Sequence, residues 1–181
     1  MSDHSGTLKN GLTLGYAEHG DPQGVPMFYF HGWPSARVQG ALMDEVAKRH
    51  GLRLIFPGRP GIGLSDYQPN RRLSDWPELM EQLAAHVGAE KFHLMGWSGG
   101  GPYVFAAVVA MPKRVLSSTI VCGAPPLTFL GYDHMFWGYR LMIRLCHVFP
   151  SVLGLLMRLG KIISGGSPDR PSLKRSVRRT R

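Results

Sequence analysis

The sequence predicts an α/β protein built on a mostly parallel, doubly wound sheet, and three observations carry that expectation. Apolar runs of strand length recur at residues 27–30, 52–56, 92–95 and 116–122. Between them lie stretches whose apolar residues repeat at helical spacing, at 36–50, 74–87 and 103–111. A glycine-flanked serine, in Gly96-Trp97-Ser98-Gly99-Gly100, stands where one strand hands over to one helix. Strand, helix and strand in repeated succession require parallel pairing through right-handed crossovers. Functional groups then gather at the carboxyl ends of the strands.

In chain order, Asn10-Gly11 marks a hairpin turn. The buried-strand run Met27-Phe28-Tyr29-Phe30 ends in His31-Gly32-Trp33-Pro34, a turn that exposes backbone N–H groups. In 36–50, Val38, Leu42, Val46 and Ala47 give a helix one face to bury. The strand at 52–56 leads into a glycine-rich loop, from Pro57 through Arg59 to Asp66. In 74–87 the buried face is Leu79, Leu83, Ala84 and Val87, with Ser74-Asp75 as N-cap, Pro77 in the first turn and Glu78 favoured there by the helix dipole. The strand at 116–122 contains Ile120-Val121, the apolar content of an interior parallel strand, yet no strand pattern follows Cys122. It becomes an edge, and an uncharged apolar edge is expected to pair with another copy of the chain. Beyond it come apolar stretches at 129–139 and 141–163, then a Gly/Ser/Pro segment and a basic tail, which divides the chain at 1–126, 127–164 and 165–181.

A Cβ at Gly96 or Gly100 would crowd a backbone that folds back on itself, so the glycines suit a sharp turn presenting Ser98. The helix that follows adds free N–H groups and a positive dipole end, which suit an oxyanion. Taken in order with the His31-Gly32-Trp33-Pro34 turn and the Arg59–Asp66 loop, the pentapeptide makes the chain resemble the α/β-hydrolase family from about residue 11 to 126. The resemblance implies a sheet of the α/β-hydrolase type, incomplete at its C-terminal end, followed by the start of a helical cap. It implies that Ser98 is the nucleophile and that the backbone N–H groups of Trp33 and Gly99 form the oxyanion hole. Attack on the ester, amide or thioester of a small acyl substrate, an acyl-enzyme and hydrolysis by water would follow, with no cofactor. Epoxide hydrolase and dehalogenase chemistry is disfavoured, since those relatives carry Asp at the position of Ser98. The family also usually has Asp where this chain has Gly58, a change expected to bear on the loop rather than on the chemistry.

The family places its acid and its histidine after later strands, and no such strands can be read here. Of eight histidines, His4, His19, His50, His86 and His93 sit where Ser98 is out of easy reach. His31 belongs to the oxyanion loop, where a structural role is expected; His134 and His147 fall in the cap, and Asp133, where the resemblance to a few relatives implies a candidate acid, reads rather as a solvated loop residue. A nucleophile and oxyanion hole without base or acid retain only a residual acceleration of about 10³–10⁴ over water. A catalytically silent, hydrolase-like binding module is therefore the alternative reading. In the cap, Phe129, Tyr132, Phe136, Trp137 and Tyr139 form either an apolar acyl pocket or plain helix packing.

With 181 residues, 44% hydrophobic and 18% charged, the chain can bury a core. The net charge of +9 divides unevenly: residues 1–167 carry +4 and the fourteen residues 168–181 carry +5. Without aromatic interleaving or helical period, that tail reads as solvated chain, and no specific nucleic-acid partner is expected; contact with anionic lipid or nucleic acid through tail and cap is the third functional class. Cys122 and Cys146 lack metal-ligand spacing and read as reduced, buried thiols, with no metal site. Gly61-Ile62-Gly63 lacks the third glycine of a nucleotide-binding turn. The opening Met1-Ser2-Asp3-His4 has no apolar h-region, so a cytoplasmic location is expected. Arg144, His147, Pro150 and Arg158 interrupt 141–163, which fits an amphipathic or interfacial helix and not a transmembrane span.

Overall fold

The computed structural model describes residues 2–33, 35–124, 126–133 and 135–163; the basic tail at 165–181, Pro34 and His134 lie outside the described residues. The chain divides into two compact units, Met1–Pro126 and Leu127–Arg181.

The first unit is a six-stranded sheet of β1 (Ser2–Thr7), β2 (Thr13–Gly20), β3 (Val25–Phe30), β4 (Leu52–Pro57), β5 (Phe92–Trp97) and β6 (Val115–Val121), in the order β1-β2-β4-β3-β5-β6. The hairpin strands pair antiparallel with each other and onto β4, and the remaining pairs are parallel. Alternation along β3, β4 and β5 sends side chains to both faces, and both are covered, as parallel strands joined by helices require. On one face Phe28, Ile55, Phe92 and Leu94 meet Leu79, Met80 and Leu83 of α2 (Trp76–His86) and Val104 and Ala107 of α3 (Gly101–Ala110). On the other, Tyr29, Leu54 and Phe56 meet Ala17 and Ala47, the latter on α1 (Asp44–Arg49). Aromatic contacts tie neighbouring strands of the sheet, with Phe28 edge-on to Phe92 at 4.9 Å and Tyr29 stacked on Phe56 at 4.5 Å.

Three expectations are corrected. The first half of 36–50 is a 3-10 helix, Arg37–Met43, and Val38, Leu42 and Val46 face solvent, Leu42 being 84% exposed. Three residues per turn place 37, 40 and 43 on one face. There Arg37 forms a two-pronged ion pair with Asp3 at 2.9 and 3.1 Å, and Gly40 lies so close to His19 and Phe56 that no Cβ fits. Met43 packs half-buried against the same core, but the two residues buried most deeply are a cation and a glycine, which hydropathy does not see. Next, Asp75 accepts its 2.7 Å hydrogen bond from the Arg72 N–H, so it secures the 3-10 turn Leu73–Asp75 and makes no side-chain cap on α2. Finally, Cys122 and Cys146 are exposed rather than buried, because Cys122 follows the edge strand and α5 buries no residue.

The parallel order ends at β6, which pairs with β5 and, among the described residues, with no other strand. Its residues 116–119 are exposed, Leu116 by 51%. The second unit holds α4 (Leu127–Leu130), α5 (Trp137–Val148) and α6 (Pro150–Ile163), with α5 packed on α6. Among the described residues, no helix is long and apolar enough to cross a membrane.

Candidate active site

Strand β5 runs without a loop into a 3-10 turn, Ser98–Gly100, and then α3. The turn is made possible at Ser98, whose φ of 50° lies in the left-handed region that side chains avoid. Its flanks show why they are glycine. A Cβ on Gly96 would stand 2.7 Å from Val104 Cγ2 and 2.9 Å from the Gly100 carbonyl carbon, and one on Gly100 would strike the Phe30 carbonyl oxygen. The turn therefore presses against the end of β3. From the other side, the Ala124 N–H donates to the Ser98 carbonyl at 2.9 Å.

The residues after β3 meet this turn. A Cβ on Gly32 would lie 3.1 Å from Ser98 Cβ, and one on Gly99 would lie 3.8 Å from the Trp33 backbone nitrogen. Trp33 N, Gly99 and Ser98 are thus neighbours, as the sequence motifs anticipate. Arg59, from the loop after β4, donates through Nη2 to the Gly32 carbonyl at 2.6 Å. In a trans peptide C=O and N–H point opposite ways, so anchoring this carbonyl turns the Trp33 N–H away from Arg59.

His31 is 1% exposed and its Nδ1 lies 2.9 Å from the same Gly32 carbonyl. Arg59 Nη2 also lies 3.1 Å from His31 Nδ1, so cation, imidazole and carbonyl meet at one point, while Nε2 is buried with no hydrogen-bond partner among the described residues. Burial, opposed by the Gly32 hydrogen bond and reinforced by the Arg59 cation, pushes the His31 imidazole down to about 4. It is neutral at pH 7 and a poor proton acceptor. Arg59 also lies over the Tyr103 ring, 5.1 Å from its centroid, and Arg71 joins it at 5.8 Å while donating to the Tyr103 hydroxyl at 3.3 Å. Nothing in the sequence singles out Arg59, Arg71 or Tyr103; the one signal is that Arg59 sits in a tight Pro-Gly-Arg-Pro-Gly turn.

The loop that carries Arg59 is stitched to β2. Ser65 Oγ donates to the Gly58 carbonyl at 2.8 Å and accepts from the Gly15 N–H at 3.0 Å, and Asp66 Oδ2 accepts from the Thr13 N–H at 2.8 Å. A Cβ at Gly58 would come within 3.0 Å of that Ser65 hydroxyl.

His19 is buried on β2, pushed down by that burial against the attraction of Asp44, 3.8 Å away. His93 shares a 2.7 Å hydrogen bond with Ser117, and His4 and His86 pack on Tyr16. His50 follows α1. In the second unit His147 donates to the Ile143 carbonyl, and Asp133 is exposed. Among the described residues, no three His, Cys, Asp or Glu side chains converge as a metal site.

Residues 25–141 match the sequence profile of the alpha/beta hydrolase fold. A non-heme chloroperoxidase of Streptomyces lividans is 28% identical over 130 residues, which are 67% of this chain and 45% of the relative. A pimeloyl-[acyl-carrier protein] methyl ester esterase of Aeromonas salmonicida is 34% identical over 106 residues, 57% of this chain and 39% of that one. The chain thus spans less than half the length of these relatives. Among solved structures, the epoxide hydrolase CorEH superposes with a TM-score of 0.68 at 23% identity, covering 86% of this chain and 55% of that one. The esterase RhEst1 of a Rhodococcus species superposes with a TM-score of 0.58 at 25% identity, covering 68% and 46%.

Proposed function

The chain belongs to the alpha/beta hydrolase fold family, and on that basis we propose that its chemistry is acyl transfer through Ser98. The Ser98 hydroxyl attacks the carbonyl of an ester, amide or thioester of a small acyl substrate, and its proton passes to the leaving group. Water then releases the acyl-enzyme. The backbone N–H groups of Trp33 and Gly99 receive the oxyanion, with Arg59 holding the Gly32–Trp33 peptide in its orientation. The observation that carries this reading is a serine held at φ 50° between a strand and a helix, where two glycines leave no room for any other residue. An ester is favoured among the three substrates, because the relative with 34% identity is named as a methyl ester esterase. Hydrolysis of p-nitrophenyl acetate and butyrate tests it, with turnover abolished by Ser98→Ala and weakened by Arg59→Ala.

A second reading, a catalytically silent hydrolase-like binding module, is favoured by one observation. Among the described histidines only His31 adjoins the serine turn, and its lowered basicity makes it unfit as a base. Absence of turnover by a chain that is nonetheless folded would select that reading.

The segment 127–164 we assign to the beginning of a helical cap and 165–181 to a basic tail. Self-association belongs to the same proposal. The free edge Val115-Leu116-Ser117-Ser118-Thr119-Ile120-Val121 carries no charge and no proline. It also reads nearly alike in both directions, so an antiparallel copy centred on Ser118 sets Val115 against Val121, Leu116 against Ile120 and Ser117 against Thr119.

A further inference from the structure

The second unit carries apolar side chains that it does not bury. On α5, Trp137, Leu141 and Val148 are exposed at spacings of four and seven residues, which return to one helix face. On α6, Val152, Leu155, Leu156 and Leu159 are exposed, related by spacings of three and four residues, and Phe149 at the joint between the helices is 59% exposed. An exposed stripe of this extent marks a surface made for a partner.

The charge pattern selects the partner. Arg140, Arg144 and His147 follow one another along α5 at the spacing of a single face, bordering the apolar stripe, and Arg158 borders the stripe of α6. No Asp or Glu occurs between Asp133 and Asp169. A second copy of this unit would meet the stripe with the same cations and no counter-charge. Nucleic acid would neutralise the arginines and leave Trp137, Leu141 and Phe149 in water. An anionic bilayer surface satisfies both halves at once, with hydrocarbon below the headgroups for the stripe and lipid phosphates for the guanidinium groups.

We propose that the α5–α6 hairpin docks this protein on anionic membrane surfaces, lying in the interface without crossing it. The single residue between the helices, Phe149, and Pro150 in the first turn of α6 fix the two stripes in one hairpin. Trp137 stands at the start of α5, an aromatic suited to headgroup depth. The docking is independent of whether Ser98 is activated.

The test uses the full chain and sucrose-loaded vesicles of phosphatidylcholine, with and without phosphatidylglycerol. The protein is expected to sediment with the anionic vesicles only. Arg140→Gln with Arg144→Gln should lower its partition coefficient about 30-fold, at about 1 kcal/mol per cation. A dye sensitive to polarity, attached to Leu141→Cys with both native cysteines replaced by Ser, reads insertion of the stripe. Its emission should rise and shift to the blue on anionic vesicles, also when Lys174, Arg175, Arg178 and Arg179 are replaced by Gln. The proposal is overturned by absence of sedimentation, by a dye response that vanishes with the tail charges alone, or by retention on DNA without any dye response. It is equally overturned by a dye already shielded in a lipid-free dimer.

Discussion

The two units of the chain are both rich in apolar residues and treat them in opposite ways. In Met1–Pro126, Phe28, Ile55, Trp76, Phe92 and Leu94 are almost wholly buried between a sheet and its helices. In the second unit α5 buries nothing, and Trp137 is 64% exposed. The difference teaches that apolar content does not make a core. A sheet offers each helix a second layer, whereas two helices packed on each other cover only the faces between them. Strand β6 repeats the lesson within the first unit. Its apolar residues have the composition of an interior strand, but the layer and the neighbour that would cover them are missing from its free side among the described residues.

The largest effect should come from the covered layer. Trp76→Ala removes a side chain packed edge-on between Phe30 and Tyr103 and should cost about 3–5 kcal/mol in urea denaturation, whereas Trp137→Ala should stay within about 0.5 kcal/mol. Equal costs would erase the contrast between the units.

The next effect depends on pH. His31 holds its proton less tightly folded than unfolded, so the folded state binds fewer protons between its lowered value of about 4 and the ordinary 6.5. Stability is therefore complete above pH 6.5 and falls as pH drops towards 4, by about 3 kcal/mol at an ordinary 1.4 kcal/mol per unit. Denaturation curves at several pH values should show the loss, and His31→Gln should flatten it.

A smaller effect concerns β6. Ser118→Lys places a cation in the middle of the free edge and should convert any dimer or larger species into monomer by light scattering, with a gain of about tenfold in dissociation constant or more. A wild-type chain that is monomeric throughout would remove the self-association proposal. The smallest effect has an unusual sign. Ser98→Gly relieves a left-handed serine and should stabilise the fold by about 1 kcal/mol, even as it removes the proposed nucleophile.

What could be read in the sequence had its cause in single residues. The hairpin is legible because Gly11 takes φ 80° and the Asn10 side chain accepts the Leu12 N–H at 3.1 Å. Strands β3 to β5 are legible because burial on both faces demands continuous apolar runs. Ser98 stands out because Gly96 and Gly100 are sterically required beside it. Arg37 and Gly40 mislead any reading by hydropathy, since a paired cation and a close backbone approach carry no apolar signal. Arg59 and Tyr103 escape it for a related reason. Their place near the candidate site rests on a carbonyl and a ring face brought together from β3, the β4 loop and α3, and no local pattern records that meeting.

The claim on which the proposed acyl transfer depends is that the strained turn presents Ser98 as an activated nucleophile. Mass spectrometry of the folded chain after exposure to a fluorophosphonate measures this directly. The account predicts a stoichiometric adduct on the peptide containing Ser98, absent from Ser98→Ala and slowed in Arg59→Ala. A folded chain left unlabelled, or labelled equally in Ser98→Ala, would contradict it.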